Sequence, residues 1–533
     1  MFYRKHLKNT GLLTVLLVLF MFLSCRCVLA PDDTSSESVL EQSYETSAAD
    51  FTEADILPEE IPAETAVLTE ELKIEPELTE KMSAPPTTPE STTMPPTTTE
   101  PPLMTVPPTA VPVATEPPSP REPAVLSKEN LLSDFDYFAR TLEESFPFYG
   151  AARRKFGVDL TRQINLARAE IERLSVSGNS SRILNAFADI LSRNIVAPMR
   201  LMGHLQGLWA GSSSYKIQLA LIKWDGASER QWYPNLYAAH LDGVFTSPTA
   251  FRYYGDVLAG IDLEKFITDN LRTPVADNVS FSIIEPGSVA YMRMNAMPSA
   301  NYAHDGALIA AFGETIADFD HFIIDLRGNR GGSASNFLNF VIAPLIDEPA
   351  TMFYYVFFKG GQHAMKFDDI YYRDLEWQLA NGMLLHADAS RFPVGDILPE
   401  LTQANADDFA DLSYGFKREI RVSPSANRWS FKGKIWILTD GRTISAGEIS
   451  AATAKESGFA TVVGENTGGA FGGYTAAFVD LPNTGIIMRY DYGYITDLHG
   501  RSIEEHGVAP NIYNRPGLDA YQTVMALIAE GNY

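Results

Sequence analysis

The chain has 533 residues and a formal net charge of −25, from 67 acidic and 42 basic side chains. This length allows two or three domains, and the lack of a basic patch argues against a nucleic-acid partner. The only two cysteines, Cys25 and Cys27, lie in the first 30 residues. Cysteine catalysis and cysteine-ligated zinc are therefore excluded from the body of the chain.

Residues 1–30 have the pattern of a secretory signal, with a basic start and an apolar run at 12–23. That run is shorter than the ~20 residues of a membrane-spanning helix. Two processing outcomes are open. One is ordinary cleavage after Ala30, which the following proline would hinder. The other is lipidation of Cys25, which ends a segment resembling a bacterial lipobox. We favour a lipid anchor at Cys25 and an extracytoplasmic location.

Residues 31–124 begin acidic and end in a Pro/Thr-rich tract. This segment carries a net charge of about −17, most of the acidity of the chain. Such a composition buries too little apolar surface to offset the entropy lost on ordering, and its prolines favour extended polyproline II. We predict a disordered stalk that holds the folded part away from a surface.

An N-terminal helical subdomain is predicted for residues 125–210. Apolar residues recur at helical spacing over Ser127–Phe146, and similar patterns predict helices at about 159–174 and 181–191. Residues 211–278 form an intermediate region of uncertain structure. After His204 its pattern favours short strands and turns through about Gly255, and no clear peptide-carboxylate-binding module is evident.

Residues 279–533 alternate strands with helices. Predicted strands at Val289–Met294 and His321–Leu326 flank a predicted helix at about 306–316, and a further helix begins near Ser335. Such alternation indicates an α/β layer with buried, partly parallel strands.

Ser445 is the most informative residue of this region. It follows a predicted buried strand, Lys434–Thr439, and precedes a helix that starts at Ala446. A serine at this step lies near unpaired backbone N–H groups and the positive end of the helix dipole, where an acyl-transfer nucleophile gains oxyanion stabilisation. The alternative is a capping box, in which Ser445 and Glu448 only satisfy the helix start.

Three further segments accompany this serine. Residues 325–332, Asp-Leu-Arg-Gly-Asn-Arg-Gly-Gly, follow a strand and form a turn whose N–H groups can face a ligand. An Asp–Arg pair in a tight turn is the structural alternative. Residues 464–469 and 503–511 supply Gly-Glu-Asn-Thr-Gly-Gly and Ile-Glu-Glu-His-Gly-Val-Ala-Pro-Asn.

Taken in order, these segments resemble the tail-specific (C-terminal processing) serine peptidase family, in its tricorn-core-like branch. The resemblance covers residues 127–532 and is densest between Asp325 and Asn511. It implies a crotonase-like α/β core with an N-terminal helical subdomain, and a peptidase catalytic core at 279–533. It also implies Ser445 as nucleophile, with an oxyanion hole formed by the N–H groups of Ala446 and of Gly331 or Gly332.

Family members with a Ser–Lys dyad carry a lysine where this chain has Ala470, so that dyad is excluded. In the tricorn-like branch the base is a histidine after the helical segment, oriented through a network that includes a late glutamate. The matching residues are His204 and Glu504. The polar residue often found before that histidine is replaced here by Gly203, which leaves a water or a direct contact to complete the network.

The resemblance therefore implies a serine endopeptidase that acts on peptides or unfolded protein segments, with a peptide or protein substrate and no cofactor. The signal segment and the stalk predict that this enzyme is exported and tethered to a surface. The remaining histidines show no metal-ligand spacing, so no metal site is predicted. Two alternatives stay open. One is a non-catalytic protein on the same fold that binds a peptide or a lipophilic ligand. The other is a structural cell-surface protein, suggested by the stalk alone.

Overall fold

The computed structural model describes residues 126–229, 236–380, 391–472 and 476–531. The predicted signal segment, Cys25 and the stalk lie outside the described residues. Within the described ranges, no helix is both long enough and apolar enough to cross a membrane.

Four helices open the described part of the chain: α1 (Lys128–Ser145), α2 (Tyr149–Phe156), α3 (Leu160–Arg173) and α4 (Ser180–Leu191). Side-chain caps fix three of the helix starts. Ser127 forms a capping box with Asn130, Asp159 accepts from Arg162 N, and Asn179 accepts from Ser181 N. The three helices predicted from the apolar spacing are confirmed, because that spacing matches the face that each helix buries.

The segment after His204 is mainly helical, so the prediction of short strands and turns there is wrong. A three-residue strand, β1 (Gln206–Leu208), is followed by α5 (Ser213–Glu229), α6 (Leu236–Phe245), α7 (Phe251–Gly260) and α8 (Leu263–Ile267). Tertiary packing explains the difference. The aromatic residues that favoured strands stack between helices, as the rings of Tyr215 and Tyr254 do at 3.7 Å.

A six-stranded sheet forms the centre of the α/β layer, in the order β13-β9-β8-β4-β3-β2. All neighbours pair in parallel except β2 and β3. The strands are β2 (Val279–Glu285), β3 (Val289–Met294), β4 (His321–Asp325), β8 (Lys434–Thr439), β9 (Thr461–Gly464) and β13 (Ile512–Tyr513). The predicted strands at 289, 321 and 434 are thus confirmed, and the buried parallel strands agree with their continuous apolar runs.

Two antiparallel sheets complete the fold. One has the order β12-β5-β7-β6 and the other the order β1-β11-β10. Their strands are β5 (Ala350–Phe358), β6 (Phe392–Pro393), β7 (Tyr414–Val422), β10 (Ala476–Asp480), β11 (Ile487–Asp491) and β12 (Tyr494–Thr496). The remaining helices are α9 (Tyr302–Thr315), α10 (Ser335–Phe337), α11 (Ala343–Leu345), α12 (Gln362–Ala380), α13 (Val394–Ile397), α14 (Ala406–Phe409), α15 (Ala446–Glu456), α16 (Ile503–His506) and α17 (Ala520–Glu530).

The helical segment is joined to these sheets by buried polar contacts. The carboxylate of Asp134 on α1 accepts hydrogen bonds from both backbone N–H groups of the β10–β11 turn, Asn483 at 2.8 Å and Thr484 at 2.7 Å. It also accepts the side-chain donors of both residues. A buried carboxylate with this many donors ties α1 to the strand pair that leads to the candidate site.

Candidate active site

The candidate site lies where β4 and β8 end. In a parallel pair the carboxyl ends meet at the same edge of the sheet, which is where α/β folds place ligands. Hydrogen bonds join the loops that follow these strands. Thr443 Oγ1 donates to Leu326 O at 2.8 Å, Ile444 N donates to Asn329 O at 2.9 Å, and Gly468 N donates to Thr443 O at 2.8 Å. The motifs around Ser445, after Asp325 and after Gly464 therefore converge as one unit.

Ser445 is buried at the N-terminus of α15 and has φ 56° and ψ −124°. Residues other than glycine seldom adopt such a conformation, which costs on the order of 1–3 kcal/mol. Its side chain makes no capping hydrogen bond, and Glu448 instead binds Thr467 and Gly469. The capping-box interpretation of Ser445 and Glu448 is therefore wrong. Ser445 has a strained backbone at the point where the loops after β4 and β8 meet.

The glycine turn lies directly against this serine. A Cβ added to Gly331 would lie 2.6 Å from Ser445 Cβ and 2.9 Å from Ala446 N. Gly331 donates its own N–H to Asn329 Oδ1 at 2.8 Å. Among the described residues, the N–H groups of Gly332 and Ala446 have no protein acceptor. Of the three amides predicted for an oxyanion hole, these two remain available to a ligand.

Asp325 and Arg327, in the same turn, have a structural role. The Arg327 guanidinium donates to both oxygens of the buried Asp325 carboxylate, at 2.9 Å to Oδ1 and 2.6 Å to Oδ2. Tyr291 Oη donates to Oδ2 at 2.7 Å. The Asp–Arg alternative is thus correct for these side chains, while the glycines of the turn approach Ser445.

His204 is held by a carboxylate that the sequence did not indicate. Its Nδ1 lies 2.6 Å from Asp491 Oδ2, and both side chains are buried. The pairing of β1 with β11 explains this contact. Gln206 pairs with Arg489 in the antiparallel register, so extending the register by two residues places His204 opposite Asp491. His204 itself has φ 44°, a strained backbone.

Glu504 lies beside the histidine loop but binds backbone rather than the ring. Its Oε2 accepts the N–H of Gly203 at 3.3 Å and that of Ala470 at 3.2 Å. A Cβ on Gly203 would lie 2.5 Å from the Phe148 ring, at a φ of +56°. Only glycine fits there, which explains why the polar residue of the resemblance is missing. The carboxylate against the imidazole is Asp491, not Glu504.

Glu448 on α15 and Glu504 on α16 are two buried carboxyls that bind the same loop, residues 467–470. Glu448 Oε1 accepts from Thr467 Oγ1 and, at 2.9 Å, from Gly469 N. Burial, with added repulsion from Glu504, raises the pKa of Glu448 to about 8. Burial likewise raises the pKa of Glu504, against the opposing effect of His204. Across the described ranges, no group of three or more His, Cys, Asp or Glu side chains is arranged to hold a metal ion.

Two residues of this cluster were missed by the sequence reasoning. Asp491 ends a buried strand and carries no motif of its own, so only the register of β1 against β11 reveals it. Lys155 lies more than 300 residues from the loop that it contacts, donating to Gly468 O at 2.7 Å and Glu504 O at 2.9 Å. Nothing in the sequence around Lys155 indicates this contact, because it depends on tertiary packing of α2 against the loop.

A known family model matches part of the chain. Residues 288–514 match the model of Peptidase family S41, which confirms the family indicated by the sequence resemblance. The mainly parallel sheet, with helices in the same part of the chain, confirms the predicted α/β fold class. A search of curated proteins finds no match to the chain.

Three of these solved structures illustrate the similarity. A peptidase from Parabacteroides merdae is 14% identical, with a TM-score of 0.41, over 75% of this chain and 96% of its own. Mature CPAF complexed with lactacystin is 13% identical, with a TM-score of 0.40, over 76% and 98%. The photosystem II D1 C-terminal processing protease is 16% identical, with a TM-score of 0.28, over 49% and 54%. At these values, the family assignment depends on the sequence match alone.

The pKa of Glu448 has a consequence for stability. Because the pKa is raised from 4.5 to about 8 on folding, the folded state favours the protonated carboxyl. The contribution to stability is fully present below about pH 4.5 and is lost as the pH rises towards 8. We expect Glu448→Gln, which mimics the protonated form, to match the wild type near pH 5 and to be more stable at pH 9. The gap should widen by up to about 1.4 kcal/mol per pH unit, as measured by urea denaturation.

The matched control is Glu465→Gln, because Glu465 is exposed and lies just before the loop that Glu448 binds. Its stability curve should run parallel to that of the wild type between pH 5 and 9. A Glu448→Gln curve that also runs parallel to the wild type would show that Glu448 is ionised in the folded protein.

Proposed function

Because residues 288–514 belong to peptidase family S41, we propose that this chain is a serine endopeptidase that cleaves peptides or unfolded protein segments. The observation that carries the proposal is the strained, uncapped Ser445, which lies against Gly331 of a glycine turn. The N–H groups of Gly332, the next residue of that turn, and of Ala446 are unpaired within the described ranges. A serine hydroxyl at a helix start, near unpaired N–H donors, suits nucleophilic attack on a carbonyl carbon. The donors can stabilise the negative charge that develops on the carbonyl oxygen during this attack.

In the proposed reaction, Ser445 Oγ attacks the carbonyl carbon of the scissile peptide bond while its proton passes to Nε2 of His204. The negative charge on the carbonyl oxygen is stabilised by the N–H groups of Gly332 and Ala446. The protonated imidazole then gives its proton to the leaving amine, and an acyl ester remains on Ser445. Water, activated by the same histidine, hydrolyses this ester and restores the serine.

Asp491 supports this role for His204. An ionised carboxylate 2.6 Å from Nδ1 requires a proton on that nitrogen, which leaves Nε2 as the basic atom. The same carboxylate stabilises the imidazolium once the proton has moved. Glu504 contributes through the backbone, since its carboxylate holds the N–H of Gly203 next to the histidine.

A fluorophosphonate probe tests the catalytic assignment, because it phosphonylates an activated serine with loss of fluoride. We expect the wild type to be labelled and Ser445→Ala to be unlabelled. His204→Ala should be labelled at least 10³-fold more slowly and Asp491→Asn at least 10²-fold more slowly. The rate of labelling of the full chain is the measurement. Ser457→Ala, at the other end of the same helix, is the control and should label like the wild type.

The alternative of a non-catalytic binding protein gives a different result. It predicts no labelling of the wild type, or equal labelling of the wild type and Ser445→Ala. Labelling that depends on Ser445 but not on His204 would leave the nucleophile in place and assign the base to another residue.

The turn at Gly331 offers a second test of the oxyanion hole. Gly331→Ala would place a methyl group 2.9 Å from both Ala446 N and Ser445 Oγ, so we expect labelling to fall at least 10²-fold. Gly328→Ala is the control. Gly328 has a similar positive φ, +74° against +87°, but an added Cβ would meet no atom within 4 Å. Equal labelling of the two variants would mean that backbone strain, not obstruction of the site, governs the result.

We further propose that the peptidase is exported and tethered to the cell surface through a lipid on Cys25, with residues 31–124 as the stalk. The lipobox-like segment before Cys25 and the Pro/Thr composition support this. When the full chain is expressed in a bacterium, Cys25→Ala should move it from the detergent phase to the aqueous phase in a Triton X-114 partition. Cys27→Ala should leave it in the detergent phase. Identical partition of both variants would rule out the anchor at Cys25.

A further inference from the structure

Lys155 reaches the site from the helical subdomain. It lies in the last turn of α2, and its Nζ donates to Gly468 O at 2.7 Å and to Glu504 O at 2.9 Å. A Cβ added to Gly469 would lie 2.7 Å from this nitrogen. The ammonium is therefore held between the loop that precedes Ala470 and the first turn of α16.

The surroundings of Lys155 are strongly ionisable. Burial lowers its pKa, whereas Glu504, Glu448 and Glu505 raise it. In return, the lysine lowers the pKa of both buried glutamates, Glu448 and Glu504. Its neighbour Arg154 donates to the Glu505 carboxylate at 2.8 Å and to Asp408. Arg154 thus neutralises Glu505 and leaves Lys155 as the cation that faces the two buried carboxyls.

We propose that Lys155 is a positioning residue of the active site, holding the Glu504 segment and the facing loop in place so that the Glu504 carboxylate keeps its bond to Gly203 and His204 keeps its geometry. This inference rests on the proposed function. Glu504 binds the N–H of Gly203 on one side and that of Ala470 on the other. An ionised carboxylate accepts these bonds more strongly than a neutral one. The bond from Gly203 N anchors the segment directly before His204, whose own backbone is strained at a φ of 44°.

The groups that face Glu504 come from four parts of the chain. They are Lys155 on α2, His204 after α4, Asp491 at the end of β11 and Glu448 on α15. Lys155 is the lysine among them, and Asp491 lies 2.6 Å from the imidazole of His204. Removing Lys155 would leave Glu504 beside two other carboxyls, so the proton affinity of Glu504 would rise.

The test measures the rate of fluorophosphonate labelling of the full chain between pH 5 and 10. We expect Lys155→Met to label about tenfold more slowly than the wild type at pH 7, with the acidic limb of the profile moved up by about one pH unit. Lys155→Gln, which keeps a hydrogen-bond donor without the charge, should show the same slower labelling and the same displaced acidic limb as Lys155→Met. It replaces Lys155→Met in the test if that variant does not fold. Lys155→Arg should retain the wild-type acidic limb.

A double-mutant cycle identifies the residue through which Lys155 acts. In a Glu504→Gln background, Lys155→Met should change the rate less than about twofold, because the ionisation of residue 504 no longer exists to be controlled. The control is Lys128→Met. Lys128 also donates to a backbone carbonyl, that of Glu172, but on an exposed surface, and its loss should leave the whole profile unchanged.

Three results would overturn the inference. A Lys155→Met profile that superimposes on that of the wild type, or a uniform slowing at every pH without displacement of the acidic limb, would assign Lys155 no control over Glu504. Complete loss of labelling in folded Lys155→Met and Lys155→Arg alike would make Lys155 itself a reacting group. If the wild type is not labelled at Ser445, the proposed function fails together with this inference.

Discussion

The side-chain amide of Asn329 is the contact on which the geometry of the site depends. This buried amide donates to Met294 O at the end of β3 and accepts the N–H of Gly331. The backbone oxygen of Asn329 accepts the N–H of Ile444. One residue thus fixes the glycine turn, the end of a neighbouring strand and the segment before Ser445. Because Gly331 N is occupied by this amide, the N–H groups of Gly332 and Ala446 are the two that remain unpaired there, among the described residues. Hydrogen bonds thus fix the glycine turn and the segment before Ser445 relative to each other.

The proposed base reaches this framework by an independent route. Ser445 follows β8 of the central six-stranded sheet, whereas His204 precedes β1 of a separate antiparallel sheet. His204 lies 287 residues before its partner Asp491. The β1–β11 register fixes the imidazole against its carboxylate, and the contacts of Asp134 with the β10–β11 turn hold that strand pair to α1. The helical subdomain therefore helps to hold His204 in the candidate site. Mutations in its core should disturb reactivity as well as stability, because the base depends on its packing.

The sequence predicted those parts that depend on local patterns. Helical spacing located α1, α3 and α4, and continuous apolar runs located β3, β4 and β8, since each pattern follows from the face that the element buries. The segment after His204 was misjudged because its aromatics pack between helices, a tertiary effect that outweighs strand propensity. Asp491 could not be predicted, because a buried aspartate acquires its partner only through a register between distant strands. Glu448 was misassigned for a related reason: spacing along the chain suggests a cap, but Thr467 and Gly469 approach it from another loop.

The loop at residues 467–470 shows how the fold tolerates the lack of a lysine at position 470. Glu448, Glu504 and Lys155 each bind this loop, through Gly469 N, Ala470 N and Gly468 O respectively. Burying two carboxyls so close together is unfavourable unless one is protonated or a cation lies nearby. The raised pKa of Glu448, about 8, meets the first condition, and Lys155 meets the second. A positive charge near the loop is thus supplied by α2 instead of by position 470, where Ala470 takes a left-handed conformation at φ 59° and gives its N–H to Glu504. In the proposed reaction His204 accepts the proton of Ser445, which leaves Lys155 free to organise the segments beside the histidine loop.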